Sequence, residues 1–209
     1  EQCSPDQGRL NGRGGESEEV DHAMMRIRKF RASVYKWCDV NARFPFAFRE
    51  PFGADAPVGN LWKFPEMLLV DWESGDGDEH SRPLLKLKSQ LGLPPFRLHA
   101  ARLRILPSHH SFREDFFQTL SASVWAQGGE LIYAAPIEDE ALAEAIRRLS
   151  TAFGIGVTTF GLTAEILDDL PRPAHILNAH PRETEALMER LDVTRVAAAA
   201  SRPHIDWAA

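Results

Sequence analysis

Glu66 and Lys88 have the residue types and spacing of half a metal-dependent hydrolytic site. Glu66 follows Pro65 and opens an apolar run, and Lys88 closes the segment Leu84-Leu85-Lys86-Leu87-Lys88, with Lys86 twenty positions after Glu66. Phosphodiester hydrolysis needs a cation to stabilise charge on the phosphorane and to activate water, and carboxylates on neighbouring strand ends can hold that cation. A lysine beside them orients water or stabilises developing negative charge. If Glu66 starts one strand and Lys88 ends the next, the two meet at one edge of a sheet. The plainer reading is a strand-start glutamate and an edge lysine in solvent, where most charged side chains lie.

The surrounding charge is unusual. Residues 82–113 carry seven Lys and Arg and no acid, in a chain of formal net charge −6. Lys86, Arg97, Arg102, Arg104 and Arg113 are interleaved with Phe96, Leu98, Leu103, Ile105 and Leu106. Basic residues in such a setting grip phosphates while the apolar ones pack, so this stretch is a candidate nucleic-acid contact, with plain surface charge as the alternative. The following segment places Glu114, Gln118, Ser121 and Trp125 at helical spacing, opposite Phe116 and Leu120. His109-His110 has no nearby cysteine and reads as exposed rather than as a zinc site. Gly154-x-Gly156 precedes a strand, so it is no dinucleotide loop, and Ser121 and Ser123 lack a nucleophile elbow.

The elements that must position these residues follow from hydrophobic spacing. Residues 1–18 are polar and Gly-rich, and are expected to be a disordered arm. Val20, Met24, Ile27, Val34 and Cys38, with Phe30 and Trp37, recur at helical period over residues 19–40. An irregular connection with a short strand at 44–48 precedes a mostly buried strand at 66–72, and the next strand is expected at 83–88. After a long connection come a helix at 111–127 closed by Gly128-Gly129, a strand at 130–135, a helix at 139–153 and a β-branched strand at 155–160. Pro171 and Pro173 then break the chain before a helical segment at 183–191 and a short apolar run at 196–200. The order indicates an α/β fold, a mixed sheet with helices on its faces. The expected division is an arm over 1–18, one domain over 19–170, and an extension over 171–209 packed on it.

With 209 residues and 44% hydrophobic content the chain can bury one sizeable core. No apolar segment is long enough to span a bilayer and none reads as a secretion signal, so a cytoplasmic location is expected. Two cysteines, Cys3 and Cys38, form no disulfide framework or metal motif, and Cys38 is expected to be a buried thiol. A pI near 5.8 argues against coating nucleic acid with the whole surface. The first residue is Glu1, which leaves residues upstream open.

The segment Arg113-Glu-Asp-Phe-Phe-Gln-Thr-Leu-Ser-Ala-Ser-Val-Trp-Ala-Gln127 resembles the Arg-Glu-x-Phe-Phe-Gln…Ser-x-Trp-Ala block of HrgA-like proteins, restriction-associated members of the PD-(D/E)xK nuclease superfamily. Leu61-Trp62-Lys63-Phe64-Pro65-Glu66 is similar to that family's Trp-x-x-Pro-Asp block. Residues 149–157 are similar to its Leu-x-x-x-x-Gly-Ile-Gly strand, and Ile205-Asp206-Trp207 to its terminus. The resemblance implies a restriction-endonuclease-like mixed sheet flanked by helices, with the acid of Pro-Asp as metal ligand and Glu-x-Lys beside it. The glutamine helix supports the site, and Mg2+ is the cofactor of an active member. Carried over, Pro-Asp becomes Pro65-Glu66, and Glu-x-Lys becomes Lys86-Leu87-Lys88, which exchanges a ligand carboxylate for a cation that repels a divalent ion.

The expectation is therefore a nuclease-like subunit of a prokaryotic restriction or antiviral defence system with a degenerate metal site, binding nucleic acid or a nucleic-acid-processing partner. One alternative is an active endonuclease with Glu66, Glu114, Lys88 and Gln118 as catalytic residues and Glu66 and Glu114 holding the metal. The other is a protein-interaction module without nucleic-acid contact.

Overall fold

The computed structural model describes residues 13–47, 65–72, 86–87 and 89–199. Six strands form one sheet in sequential order, β1 (Arg43–Ala47), β2 (Met67–Trp72), β3 (Phe96–Arg104), β4 (Gly128–Tyr133), β5 (Ile155–Thr159) and β6 (Thr194–Ala197). β1, β2 and β3 pair antiparallel, β3, β4 and β5 parallel, and β6 closes the far edge antiparallel to β5. The two parallel steps are bridged by helices α2 (Phe112–Ala122) and α3 (Glu140–Phe153), as a crossover between parallel strands requires. The architecture is a mixed α/β sheet flanked by helices.

Every residue of β4 and β5 is buried, because both faces of these central strands are covered. On one face α2 and α3 lay Phe112, Phe116, Leu142 and Ile146 over Leu131, Tyr133, Ile155 and Val157. Asp139 starts α3 by accepting the Leu142 amide at 2.9 Å, and Gly154 ends it at φ +70°, a conformation that a side chain would strain. On the other face lie α1 (Arg13–Val40), α4 (Ala164–Asp169), α5 (Pro173–Leu177) and α6 (Pro181–Glu189). They bury Phe30, Val34, Cys38, Leu167, Ile176 and Leu187 against Met67, Leu69, Leu103, Ile132 and Phe160. Phe160 is the centre of this layer, edge-on to both Phe30 at 5.7 Å and Trp37 at 5.3 Å.

Only the second half of α1 lies on the sheet. Val34 and Cys38 are buried as expected, whereas Val20, Met24 and Ile27 of the same stripe are exposed, because the helix overhangs the sheet. The overhang is tied down from the side: Arg26 forks onto the Asp168 carboxylate, and Lys29 donates to the carbonyl oxygens of Leu167 and Asp168 at the end of α4. Cys38 is the expected buried thiol, and burial pushes its pKa up to about 12, which keeps it protonated and inert.

Two expectations are corrected. The helix begins at Arg13, inside the segment read as a disordered arm. The strand expected at 83–88 is not one where it is described: Lys86 and Leu87 are exposed and helical, as are Ser89 and Gln90, while 83–85 and Lys88 lie outside the described residues. The strand paired with β2 is instead β3, within the stretch read as a connection. Within the segment expected as an extension packed on the domain, β6 pairs with β5, and Ile176 and Leu187 are buried in the α1-side core.

Truncating Phe160 removes the fully buried ring between Phe30 and Trp37. Phe160→Ala is expected to cost about 3–5 kcal/mol of unfolding free energy, measured by urea denaturation, and a loss below about 1 kcal/mol would show that the α1 layer does not depend on this ring.

Candidate functional site

Glu66 sits just before β2, whose first residue Met67 pairs with Ala101 of β3. Continuing that antiparallel register sets Glu66 across from Arg102, with Leu103 and Arg104 next along the strand. The contacts follow: the Leu103 amide donates to Glu66 Oε2 at 3.3 Å, and Arg104 Nη1 lies 3.7 Å from the same oxygen. Glu66 Oε1 accepts from Arg31 Nη2 of α1 at 2.5 Å. The residues flanking Glu66 on the adjoining strand are thus Arg102-Leu103-Arg104 and not Lys86 or Leu87. Lys86 belongs to a different, exposed helical turn.

Helix α2 completes the cluster. Arg104 donates through Nε to Asp115 Oδ1 and through Nη2 to Gln118 Oε1 at 3.4 Å. Gln118 Nε2 in turn donates to Glu114 Oε1 at 2.9 Å, one turn back on the same helix. Glu66, Arg102, Arg104, Glu114 and Gln118, all singled out in the sequence, therefore meet where β2, β3 and α2 converge. Lys88 lies outside the described residues. Two members were missed, Asp115 and Arg31, which answer the arginine and the glutamate. A buried acid between two phenylalanine-bearing turns was the available signal for Asp115.

The chemistry of this donor set is that of an ion-pair network. A magnesium ion takes oxygen ligands in near-octahedral array, often with one or two carboxylates. Here Glu66 has guanidinium groups on both oxygens, and Arg104 stands between it and Asp115. At an effective dielectric of about 20, a divalent ion a few ångströms from a guanidinium meets several kcal/mol of repulsion. Among the described residues no three His, Cys, Asp or Glu side chains converge as a metal site would need. The residues do not fit Mg2+, and the expected ligands Glu66 and Glu114 serve other partners. Arg102 remains half-buried with its Nε unpartnered, and burial, then the neighbouring Arg104, pulls its pKa below the usual arginine value.

The candidate phosphate-binding arginines do not form one surface. Strand alternation sends Arg97 to the α1 face and Arg102 and Arg104 to the α2 face, where carboxylates already answer Arg104. Arg113 is exposed on α2 with its guanidinium 5.2 Å from the Phe112 ring centroid. His109 is exposed and pairs with Asp139 at 3.0 Å, and His110 is exposed.

A second polar cluster, which the sequence reading did not find, lies on the α1 face. Arg43 opens β1 directly opposite Asp71, forks onto its carboxylate at 2.6 and 3.2 Å, and reaches over β2 and β3 to Glu130 of β4 at 3.0 Å. Thr158 of β5 donates to the other Glu130 oxygen at 3.0 Å. Arg43 is 12% exposed and Glu130 7%. Burial alone would lower the Arg43 pKa, but Glu130 and Asp71 overcome it and hold the group firmly charged. His99 lies 3.5 Å from Asp71, and burial holds its pKa below the usual histidine value despite both carboxylates, so the ring is neutral at pH 7. Its Nδ1 packs on Gly128, where a Cβ would stand 2.9 Å away, so only glycine fits. Beside this cluster opens a cleft of about 590 Å³, lined by Trp37, Arg97, His99, Glu130, Thr158 and Arg195 among others.

Arg43→Met leaves Glu130 buried without its cation and is expected to cost about 3–5 kcal/mol in urea denaturation. Adding Glu130→Leu should recover part of that loss, and strictly additive costs would show that the two side chains do not interact.

No family model, curated protein or solved structure matches the chain.

Proposed function

We propose that this chain is a nuclease-like subunit of a prokaryotic restriction or defence system, built on a PD-(D/E)xK-like α/β domain, whose metal centre has given way to an ion-pair network. It works by holding nucleic acid or a nucleic-acid-processing partner and does not cut. One observation carries the reading: Glu66 is bound by Arg31 and Arg104 while Arg102 lies across from it. In the arrangement that the HrgA-like resemblance implies, Pro65-Glu66 corresponds to Pro-Asp, and the place beside it belongs to Glu-x-Lys. Arg102-Leu103-Arg104 fill that place, so the ligand acid is a cation and the lysine an arginine. The helix that carries Gln118 packs beside them, with Gln118 hydrogen-bonded to Arg104.

The residues give a consistent electrostatic picture. Glu66 and Asp115 neutralise Arg104, and Gln118 and Glu114 extend the network along α2. None of these groups is placed to lower the pKa of a water, which is the service a bound divalent ion gives hydrolysis. Nucleic-acid contact then falls to exposed cations such as Arg113 and Lys86.

The reading as a pure interaction module is favoured by a separate observation. The arginines of β3 are divided between two faces, and Phe44 and Phe46 are exposed on the edge strand β1.

Plasmid DNA incubated with the chain and magnesium or manganese should remain intact. Cleavage that disappears in Glu66→Ala would overturn the proposal in favour of the endonuclease. The double change Arg102→Glu/Arg104→Lys should give manganese binding detectable by calorimetry where the unaltered chain gives none. On a fluorescent duplex, Arg113→Glu should weaken binding and lower the slope of log K against log salt by about one. A duplex affinity that this change leaves untouched would favour the interaction module.

A further inference from the structure

The first half of α1 reaches past the sheet with an apolar stripe uncovered. Val20, Met24 and Ile27 recur at i, i+4 and i+7, so they stand on one side of the helix, and they are 62%, 44% and 39% exposed. The same stripe continues through Arg31 to Val34 and Cys38, which are buried on the sheet. Arg31 marks the boundary, because it turns to Glu66 and closes the domain there. Arg26 and Lys29 bond to the end of α4 from another side of the helix and leave the stripe open. A helix that presents three large apolar residues to solvent in one row fits a second surface.

Charge beside the stripe identifies that surface. Met24 takes heptad position a, Val20 and Ile27 position d, and Asp21 and Arg28 both position e. Asp21 and Arg28 are exposed, and neither makes an ion pair among the described residues. They stand on the same flank of the stripe, one heptad or about 10 Å apart along the axis. When two copies of such a helix pair antiparallel, e faces e, so a two-fold axis passing between Met24 and Met25 sets each Asp21 level with the partner's Arg28. The flank is complementary to itself in that orientation. A parallel pair would set Arg28 beside the partner's Ala23 and leave the guanidinium unanswered.

We propose that the chain forms a two-fold dimer through the first half of α1. Val20, Met24 and Ile27 pack on the same residues of the second copy, and Asp21 pairs with Arg28 on both sides. From Arg13 to Arg28 the helix spans about 24 Å, so the contact buries less than the roughly 800 Å² per partner of a standard stable interface and gives a micromolar association. The dimer uses neither the Glu66 cluster nor the cleft beside Arg43, and it stands whether or not the chain cuts nucleic acid.

Sedimentation equilibrium of the full chain between about 1 and about 300 µM should show a monomer–dimer equilibrium. Met24→Glu sets two like charges at the two-fold axis and should leave the chain monomeric throughout. Asp21→Arg and Arg28→Asp should each weaken the dimer by about tenfold, as two symmetric pairs turn from attraction to repulsion. The double change Asp21→Arg/Arg28→Asp should return the affinity to within about threefold of the unaltered chain. All three side chains are exposed, and unchanged thermal midpoints at about 1 µM, where the chain is monomeric, establish that the variants fold. The proposal is overturned if the unaltered chain stays monomeric at every concentration, if Met24→Glu dimerises as the unaltered chain does, or if the double charge exchange is as weak as either single change.

Discussion

The structure depends on a charged strand placed in the middle of a sheet. β3 joins the antiparallel half to the parallel half, so it has a strand on each side and a helical layer over each face. Its period-two alternation nevertheless sends Arg97 and His99 to one layer and Arg102 and Arg104 to the other. A half-buried guanidinium without a partner costs several kcal/mol, so each face must supply acids or exclude charge. On the α2 face Asp115 and Glu66 answer Arg104. On the α1 face His99 stays neutral between Asp71 and Glu130, and those two carboxylates in turn hold Arg43. Through these pairs β3 fixes the placement of β1, β2, β4, α1 and α2 together.

This constraint explains why the two polar clusters behave differently. Around Arg104 the partners come from a strand start, a helix and, through Glu66, the α1 side chain Arg31, which is 42% exposed. Solvent screens the Arg31–Glu66 pair, which adds little by itself, whereas Asp115 is buried and depends on Arg104. The Arg43 cluster is drier, and removing one member strands a buried charge. The Arg31 contact can therefore tolerate change, while the Arg104–Asp115 and Arg43–Glu130 pairs belong to the folding core, and a cleft opens beside the latter.

How far the sequence revealed this depends on how local each signal is. The segment from α3 through β5 was legible because its signals are adjacent in the chain: an Asp139 cap, the apolar spacing of Leu142, Ile146 and Leu149, the Gly154 stop and a β-branched strand. β3 was not, because its apolar residues change phase in mid-strand. Phe96, Leu98 and Ala100 alternate with charges on one phase, then Ala101 and Leu103 take the other. Its arginines look like solvent-facing charge unless acids 11 and more residues away are known to meet them. The apolar run with Lys86 carried the stronger strand pattern, and yet where described it is an exposed helical turn. Likewise Glu66, Glu114 and Gln118 were legible as neighbours, but the residue that joins them, Arg104, had been assigned to phosphate binding.

A guanidinium can hold carboxylates together as a divalent ion does, but it differs from one in what it can do chemically. A metal ion offers open coordination positions, so water enters, loses a proton and attacks. Arg104 offers directed N–H groups, and its Nε, Nη1 and Nη2 already donate to Asp115, the Leu103 carbonyl and Gln118. A guanidinium also supplies only donors, with no lone pair to act as an acceptor. The network of Arg104 with Asp115, Gln118 and Glu66 therefore packs α2 against β2 and β3 with directed hydrogen bonds and presents no open coordination position.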